Sequence, residues 1–104
     1  MIRCKFWIKK DKIILGMRGH AGYAAEGKDI VCAAASTLCN TFVAYLVNKS
    51  DIAVKYNLDK GAASVVVKMG KKNSEVKEVA FFVALGFVGI ECAYPKFFRV
   101  SKNF

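Results

Sequence analysis

The first strand of the fold is visible in the alternation of residues 2 to 8, where apolar side chains are interleaved with mostly basic ones. The apolar positions are Ile2, Cys4, Phe6 and Ile8, and the positions between them are Arg3, Lys5 and Trp7. A period of two is typical of a strand with one face in a core and the other in water. The pattern therefore predicts a sheet that is covered on one face, and it predicts which side chains of this strand are buried.

The later patterns predict two β-β-α units in succession. A turn at residues 9–12 leads to a second strand at 13–18, and strands at 52–56 and 63–69 are joined by a turn at 57–61. Helices are predicted over 30–48, with Asp29 as N-cap, and from Asn73 or Ser74 onward. We expect one domain over residues 1–104, of the α+β class, with two helices packed on a four-stranded sheet. Docking of residues 94–100 against that sheet is left open.

Both predicted helices are unusually apolar. In the first, the residues expected to be buried recur at every fourth position: Ile30, Ala34, Leu38, Phe42 and Leu46. The second has one apolar face made of Val76, Val79, Ala80, Val83, Phe87 and Ile90, and another made of Phe81, Leu85, Val88 and Cys92. A helix that is apolar nearly all round in so small a chain is sandwiched or paired with another subunit, and we expect a homodimer.

The charge is strongly basic, with 17 Lys and Arg against 8 Asp and Glu and a net charge of +9. Such a balance favours contact with polyanions such as RNA or the ribosome, although solubility alone accounts for it equally well. The lysines are scattered through predicted loops and strand faces and form no nucleic-acid motif with interleaved aromatic residues. They include Lys9, Lys10, Lys12, Lys60, Lys71 and Lys72. Charge therefore suggests ribosome association without establishing it.

Neither a membrane span nor a metal site is expected. The uncharged run at 31–48 contains too many polar residues for a membrane span, and the run at 79–90 is shorter than the roughly 20 residues that a bilayer requires. The N-terminal residues alternate between apolar and basic side chains, whereas a signal peptide has a continuous apolar segment. The four cysteines include no C-x-x-C pair and the chain has one histidine, so we expect no metal and no cofactor. We expect a cytoplasmic protein whose cysteines, with one exception, are small core residues.

The exception is Cys32, which lies in the first turn of the first predicted helix. Backbone N–H groups there lack helical partners and the helix dipole is positive, so the position favours a thiolate. His20 follows the second strand, and the loop after it leads back to this helix. The two elements thus bring a base near a thiol, which is the arrangement that nucleophilic catalysis requires. His20 is the expected general base and acid, and Cys32 the nucleophile.

Other residues of this stretch have roles that remain open. Asp29 is expected mainly as the helix N-cap, and orientation of His20 is the second interpretation of its carboxylate. Ser36 is expected to bond back to the Cys32 carbonyl rather than to take part in chemistry. The loop at 21–28, with Gly22, Tyr23 and Gly27, is a possible lid or substrate-recognition element.

The motif Gly19-His20-Ala21, with Gly27, Asp29, Val31-Cys32-Ala33-Ala34 and Ser36, resembles the signature of the ribosomal-processing cysteine proteases. The resemblance implies a cytoplasmic, homodimeric endopeptidase that removes the N-terminal extension of a bacterial large-subunit ribosomal protein, at a site with paired phenylalanines. It assigns His20 as base and Cys32 as nucleophile, with supporting positions at Asp29 and Ser36. Two alternatives stay open: a non-catalytic basic adaptor that binds RNA or the ribosome, and a thiol redox or acyl-transfer protein that uses the same cysteine.

Overall fold

The computed structural model describes residues 1–70 and 73–104 and contains a five-stranded sheet with two helices on one face. In chain order the elements are β1 (Ile2–Ile8), β2 (Lys12–Arg18), α1 (Ile30–Val47), β3 (Ala53–Asp59), β4 (Ala62–Lys68), α2 (Ser74–Ala93) and β5 (Phe98–Asn103). The strand order in the sheet is β3-β4-β2-β1-β5. The predicted α+β class is confirmed. Lys71 and Lys72 of the sequence analysis lie outside the described residues.

The predicted number of strands is wrong, because the residues after α2 form β5. This strand pairs in parallel with β1, with Ile2 opposite Phe98 and Cys4 opposite Val100. Phe98 and Val100 are buried. The sequence pattern does not predict this strand, because only these two apolar residues alternate in it and its partner β1 lies at the other end of the chain. Helix α2 supplies the crossover that a parallel pair requires.

The buried face of β1 is the one that the alternation predicted. Ile2, Cys4 and Phe6 lie in the core, and the ring of Phe6 is 5.8 Å from that of Phe42 on α1 and 5.9 Å from that of Phe87 on α2, between centroids. Both helices therefore pack on the same face of the sheet. Burial of each such ring contributes on the order of 2–3 kcal/mol.

The buried stripe of α1 is displaced by one residue from the predicted one in its first half. The buried residues are Val31, Ala35, Cys39, Phe42, Val43 and Leu46, whereas Ile30 is 51% exposed. A spacing of four fits a stripe that starts at Ile30 or at Val31. The observed stripe starts at Val31, whose backbone N–H, like that of Cys32, donates to the N-cap residue Asp29.

One further strand boundary and the burial of one cysteine differ from the expectations. β3 continues to Asp59, so the β3–β4 turn contains only Lys60 and Gly61 rather than residues 57–61. Helix α2 begins at Ser74, within the predicted choice of Asn73 or Ser74, and Asn73 is its N-cap. Cys92, expected in the core, is exposed on α2.

Within the described residues, α1 is the one helix long and apolar enough to cross a membrane by length and composition. The core helix of a soluble protein passes the same test, and α1 buries its stripe against the sheet.

Candidate active site

A cleft of about 780 Å³ lies between the first half of α1 and the β3–β4 turn. His20 and Cys32 both line it, as do Asp29 and Ser36. Its wall also includes apolar side chains, among them Met17, Leu58 and Ala63. The structure therefore brings the predicted base and nucleophile into one concave site, which is the usual setting for enzyme chemistry.

Strand pairing positions His20. β2 pairs with β4 so that Arg18, the last residue of β2, lies opposite Ala62. The backbone N–H of Gly19 then donates to the carbonyl of Gly61, with 2.9 Å from N to O. On the other side, the N-terminal ammonium of Met1 donates to the His20 carbonyl at 2.7 Å. The histidine backbone is thus held from both sides at the end of a strand.

Cys32 lies in the first turn of α1, half-buried at the wall of the cleft. The backbone N–H of Ala21 donates to its Sγ atom, with 3.4 Å from N to S. A donor aimed at sulfur stabilises negative charge there. Because Ala21 directly follows His20, this bond holds the histidine segment against the cysteine.

Asp29 forms four hydrogen bonds that join the loop to the helix. Its Oδ1 accepts from the N–H groups of Val31 and Cys32, at 3.0 Å each, and its Oδ2 accepts from those of Tyr23 and Ala24, at 3.0 and 3.3 Å. Burial opposes the charge, but these four donors outweigh it and hold the pKa of the carboxyl below its ordinary value. The predicted N-cap is present.

These bonds bear on the second interpretation of Asp29, the orientation of His20, and on whether the Cys32 N–H can stabilise an oxyanion. Every bond that the Asp29 carboxylate accepts within the described residues comes from backbone N–H groups, and none comes from His20. The N–H of Cys32 is occupied by Asp29, so it is not a free donor for an oxyanion. The geometry thus favours the capping interpretation of Asp29.

The remaining predicted residues divide between the cleft and its surroundings. Gly22, Gly27 and Ser36 line the cleft. Ser36 is exposed at the cleft wall, and its expected bond to the Cys32 carbonyl stays a prediction. The ring of Tyr23 instead packs edge-on against those of Tyr94 and Phe97, at 5.4 and 5.2 Å between centroids. Tyr23 therefore anchors the loop to the α2–β5 connection.

Two other cysteines are unsuited to the same chemistry. Burial raises the pKa of Cys4 to about 12, with the nearby Cys39 adding to the effect, and burial raises the pKa of Cys39 to about 11. Both therefore remain thiols at neutral pH. The redox alternative loses Cys39 as a resolving partner.

The β3–β4 turn is the part of the site that sequence reasoning missed. Its Lys60 donates to Glu26 of the 21–28 loop across the cleft, at 2.6 Å from Nζ to Oε1, and this hydrogen bond lowers the pKa of Glu26. Both side chains are exposed, so the pair adds little stability. Gly61 lies directly against the His20 ring. The sequence marks residues 57–61 only as a turn, because the β2–β4 pairing that brings them here is non-local.

Gly61 limits where the imidazole can lie. Its φ is +75°, and a Cβ atom added there would be 2.9 Å from Nε2 of His20. We expect Gly61→Ala to lower kcat by about 100-fold, because displacement of a catalytic group by about 1 Å has an effect of that order. The measurement is steady-state cleavage of a peptide substrate.

A matched control separates this contact from backbone strain. Gly27 has a φ of +84°, and a Cβ added there meets nothing within 4 Å. Gly27→Ala should therefore lower the melting temperature much as Gly61→Ala does. Because Gly27 lines the cleft on the 21–28 loop, its effect on cleavage should appear in KM, with kcat close to wild type. Equal losses of kcat in both variants would show that the Gly61 contact does not position the histidine.

A comparison with known protein families gives a result that agrees with a cysteine-based site. The family model described as cysteine protease Prp matches residues 1–99. No curated protein sequence matches the chain.

Solved structures share the fold over almost the whole chain. The essential ribosomal processing protease Prp of S. aureus, in complex with a covalently linked product peptide, matches with a TM-score of 0.81 and 23% identity, over 99% of this chain and 100% of that one. The same protease with a substrate peptide matches with a TM-score of 0.77, 23% identity and the same coverage. SMU.848 from Streptococcus mutans matches with a TM-score of 0.72 and 25% identity, over 99% and 94% of the two chains.

Proposed function

The chain belongs to the cysteine protease Prp family, and on that premise we propose that it removes the N-terminal extension of a large-subunit ribosomal protein, with Cys32 as nucleophile and His20 as general base and acid. The observation that carries the proposal is the bond from the Ala21 N–H to the Cys32 sulfur, which holds the histidine segment against the cysteine inside one cleft. The comparison with the S. aureus protease supports a peptide or protein as substrate.

In the proposed reaction His20 takes the thiol proton and the sulfur of Cys32 attacks the scissile carbonyl carbon. The tetrahedral intermediate collapses as His20 protonates the leaving amine, which departs with the C-terminal part of the substrate. Water, deprotonated by His20, then attacks the thioester and releases the new carboxyl terminus. His20 thus acts as base and acid in turn.

The oxyanion of this reaction needs a donor other than the Cys32 N–H, which Asp29 occupies. We assign that role to the N–H of Ala21, which faces the sulfur in the free enzyme. Once the sulfur is bonded to carbon it is a poor acceptor, so this N–H becomes available to the developing negative oxygen.

The cleft has an apolar wall, which suits a substrate with aromatic residues at the cleavage site. Met17, Leu58 and Ala63 line it, and Leu58 is 41% exposed although it lies on the core face of the sheet. An exposed apolar side chain beside a catalytic cysteine suits a bulky apolar residue of the substrate. This fits the paired phenylalanines implied by the family resemblance.

A peptide assay tests the substrate. A peptide that spans the N-terminal extension of a large-subunit ribosomal protein, with paired phenylalanines, is incubated with the purified protein and its products are identified by mass spectrometry. The matched control is the same peptide with both phenylalanines changed to alanine. Cleavage of the first peptide alone supports the proposal, whereas no cleavage of either, or equal cleavage of both, contradicts the proposed specificity.

The proposed enzyme is a cytoplasmic homodimer that associates with the ribosome. The support for dimerisation is an exposed apolar surface on α2, the α2 patch, formed by Phe81, Phe82 and Leu85, with Phe82 77% exposed. Phe81 also packs against Phe104, at 5.4 Å between ring centroids. Contiguous exposed rings of this kind mark protein interfaces, and a second copy of the chain is the partner we assign. The support for ribosome association is the net charge of +9.

Phe82→Glu should convert the dimer to a monomer, because it places a charge in the α2 patch at a position that contributes little to the core. Sedimentation velocity at micromolar concentration measures the change. The monomer should remain folded, so its melting temperature should fall only by the stabilisation that dimer formation contributes. Val47 is also an exposed apolar residue, 52% exposed at the end of α1, and Val47→Glu is the control that should leave the dimer intact. A monomeric wild type would contradict the proposal.

A further inference from the structure

The face of the sheet opposite the helices is open and basic. None of its strand positions is buried. Seven of them are cations: Arg3, Lys5, Lys12, Arg18, Lys55, Lys68 and Arg99. Asp59, at the outer strand β3, is the one acidic residue among these strand positions. The face therefore concentrates positive charge that the sequence alone shows as scattered.

Strand register aligns three arginines across the sheet. Arg3 lies opposite Arg18 on one side and Arg99 on the other, so the three form one row over β2, β1 and β5. Neighbouring strands are about 4.8 Å apart, so the row spans roughly 10 Å. Within residues 1–70 and 73–104 the ion pairs are Lys49–Glu75 and Lys60–Glu26, and neither uses this row. The guanidinium groups are thus available to bind phosphate, which suits their planar donor geometry.

An aromatic and apolar row lies on the same face, four residues along the strands from the arginines. Trp7 lies opposite Ile14, and Ile14 lies opposite Val66. All three are half-buried. The ammonium of Lys5 is 3.8 Å from the centroid of the Trp7 ring, and that of Lys9 is 5.3 Å from it. Between the two rows, Gly16 leaves open space where a side chain would stand.

We propose that this open face binds a single-stranded segment of RNA, with phosphates on the row of Arg3, Arg18 and Arg99 and a base stacked on Trp7. A charged row beside an aromatic ring is the combination with which proteins bind single strands without strong sequence preference. Lys5 leaves the ring to meet a phosphate as the base takes its place. An acidic protein or an anionic lipid surface would match the charge, but neither would place a base on the Trp7 ring.

The two binding surfaces are compatible with each other. The cleft lies on the helix-covered side of the sheet, whereas the arginine row lies on the opposite face. RNA and a peptide can therefore be bound together. If the substrate is the ribosomal precursor proposed above, contact with nearby RNA raises its effective concentration at the cleft; RNA binding itself does not depend on that substrate.

The test uses the only tryptophan of the chain as reporter. Ten-residue oligouridylate is titrated into the protein at 50 mM salt while Trp7 fluorescence is recorded, and fluorescein-labelled RNA provides a parallel anisotropy measurement. We expect quenching of Trp7, and Trp7→Ala should weaken binding about 5- to 100-fold by anisotropy. Arg3→Gln with Arg99→Gln should reduce the slope of log K against log salt by about 1.4, because each lost single-strand phosphate contact removes about 0.7.

The control is Lys77→Gln with Lys96→Gln, which removes the same charge from α2 and the α2–β5 connection, outside the strands of the open face. It should bind RNA with nearly wild-type affinity. Equal weakening by the two double variants, or binding without Trp7 quenching, would overturn the proposal. So would equal affinity for polyglutamate or for anionic phosphatidylserine vesicles. Cleavage of a short peptide should be unchanged in the Arg3 and Arg99 double variant, which separates this test from that of the protease function.

Discussion

Cys32→Ala should reduce peptide cleavage by at least about 1,000-fold, since loss of the nucleophile of a cysteine or serine protease leaves only binding and oxyanion stabilisation. The fold should survive, because the side chain is half-buried at the cleft wall and the Asp29 cap bonds its backbone rather than its sulfur. Cleavage is measured by product formation, and folding by circular dichroism and the melting temperature. His20→Ala should give a loss of the same order with the thiol still present.

Cys92→Ala is the matched control, because Cys92 is the exposed cysteine on α2. It should cleave at the wild-type rate. Full activity in Cys32→Ala would exclude this thiol as nucleophile and, with it, the proposed mechanism. A loss of cleavage in Cys92→Ala but not in Cys32→Ala would indicate that Cys92, on the outer surface of α2, is the nucleophile.

Asp29→Ala should lower both stability and activity, because one carboxylate accepts four backbone N–H groups at the junction of loop and helix. Loss of an N-cap and of the loop anchor should lower the melting temperature on the order of 5 °C or more. It should also lower kcat/KM about 10- to 100-fold, because the 21–28 loop and the first turn of α1 then move relative to each other. Asp11→Ala, in the exposed β1–β2 turn, is the control and should change neither quantity.

Asp29→Asn separates the two halves of this role. Its single amide oxygen can still cap Val31 and Cys32, but its NH₂ group would face the N–H donors of Tyr23 and Ala24. We expect the helix to stay capped and the loop to detach, which is visible as faster amide exchange at Tyr23 and Ala24 alone. Unchanged exchange at both amides would contradict the shared-carboxylate geometry.

The wild type should show a matching pH dependence. The pKa of Asp29 is lower in the folded protein than in the unfolded chain, so its contribution to stability is present above about pH 4 and is lost as the pH falls through the folded value. Asp29→Asn has no such titration. The difference in melting temperature between the two proteins should therefore shrink as the pH falls below about 4.

The sequence predicts those parts of the fold that depend on neighbouring residues. β1 follows from a strict alternation, the start of α1 follows from its capping residue Asp29, and the start of α2, predicted at Asn73 or Ser74, lies at Ser74. The rotation of α1 could not be fixed, because stripes from Ile30 and from Val31 have the same spacing. β5 could not be foreseen, since its partner is at the far end of the chain and its outer half, Ser101–Asn103, is polar.

The candidate site also combines residues that are close in sequence with residues that only strand pairing brings together. His20, Asp29 and Cys32 are close in sequence, so their local elements suffice to bring them together. Gly61 reaches the His20 ring only through the β2–β4 pairing, and nothing in the residues around it signals that contact. The open basic face has the same origin, because Arg3, Arg18 and Arg99 become neighbours only when three strands are in register.

The parallel pairing of β1 with β5 has a consequence for how the protein is made. At a synthesis rate of about 5–20 residues per second, β5 leaves the ribosome roughly 5–20 seconds after β1. During that interval one edge of the first strand has no partner, and contacts that join the two ends of a chain form slowly. The five-stranded sheet is complete only after β5 has been translated, and until then the free edge of β1 is open to pairing with another chain.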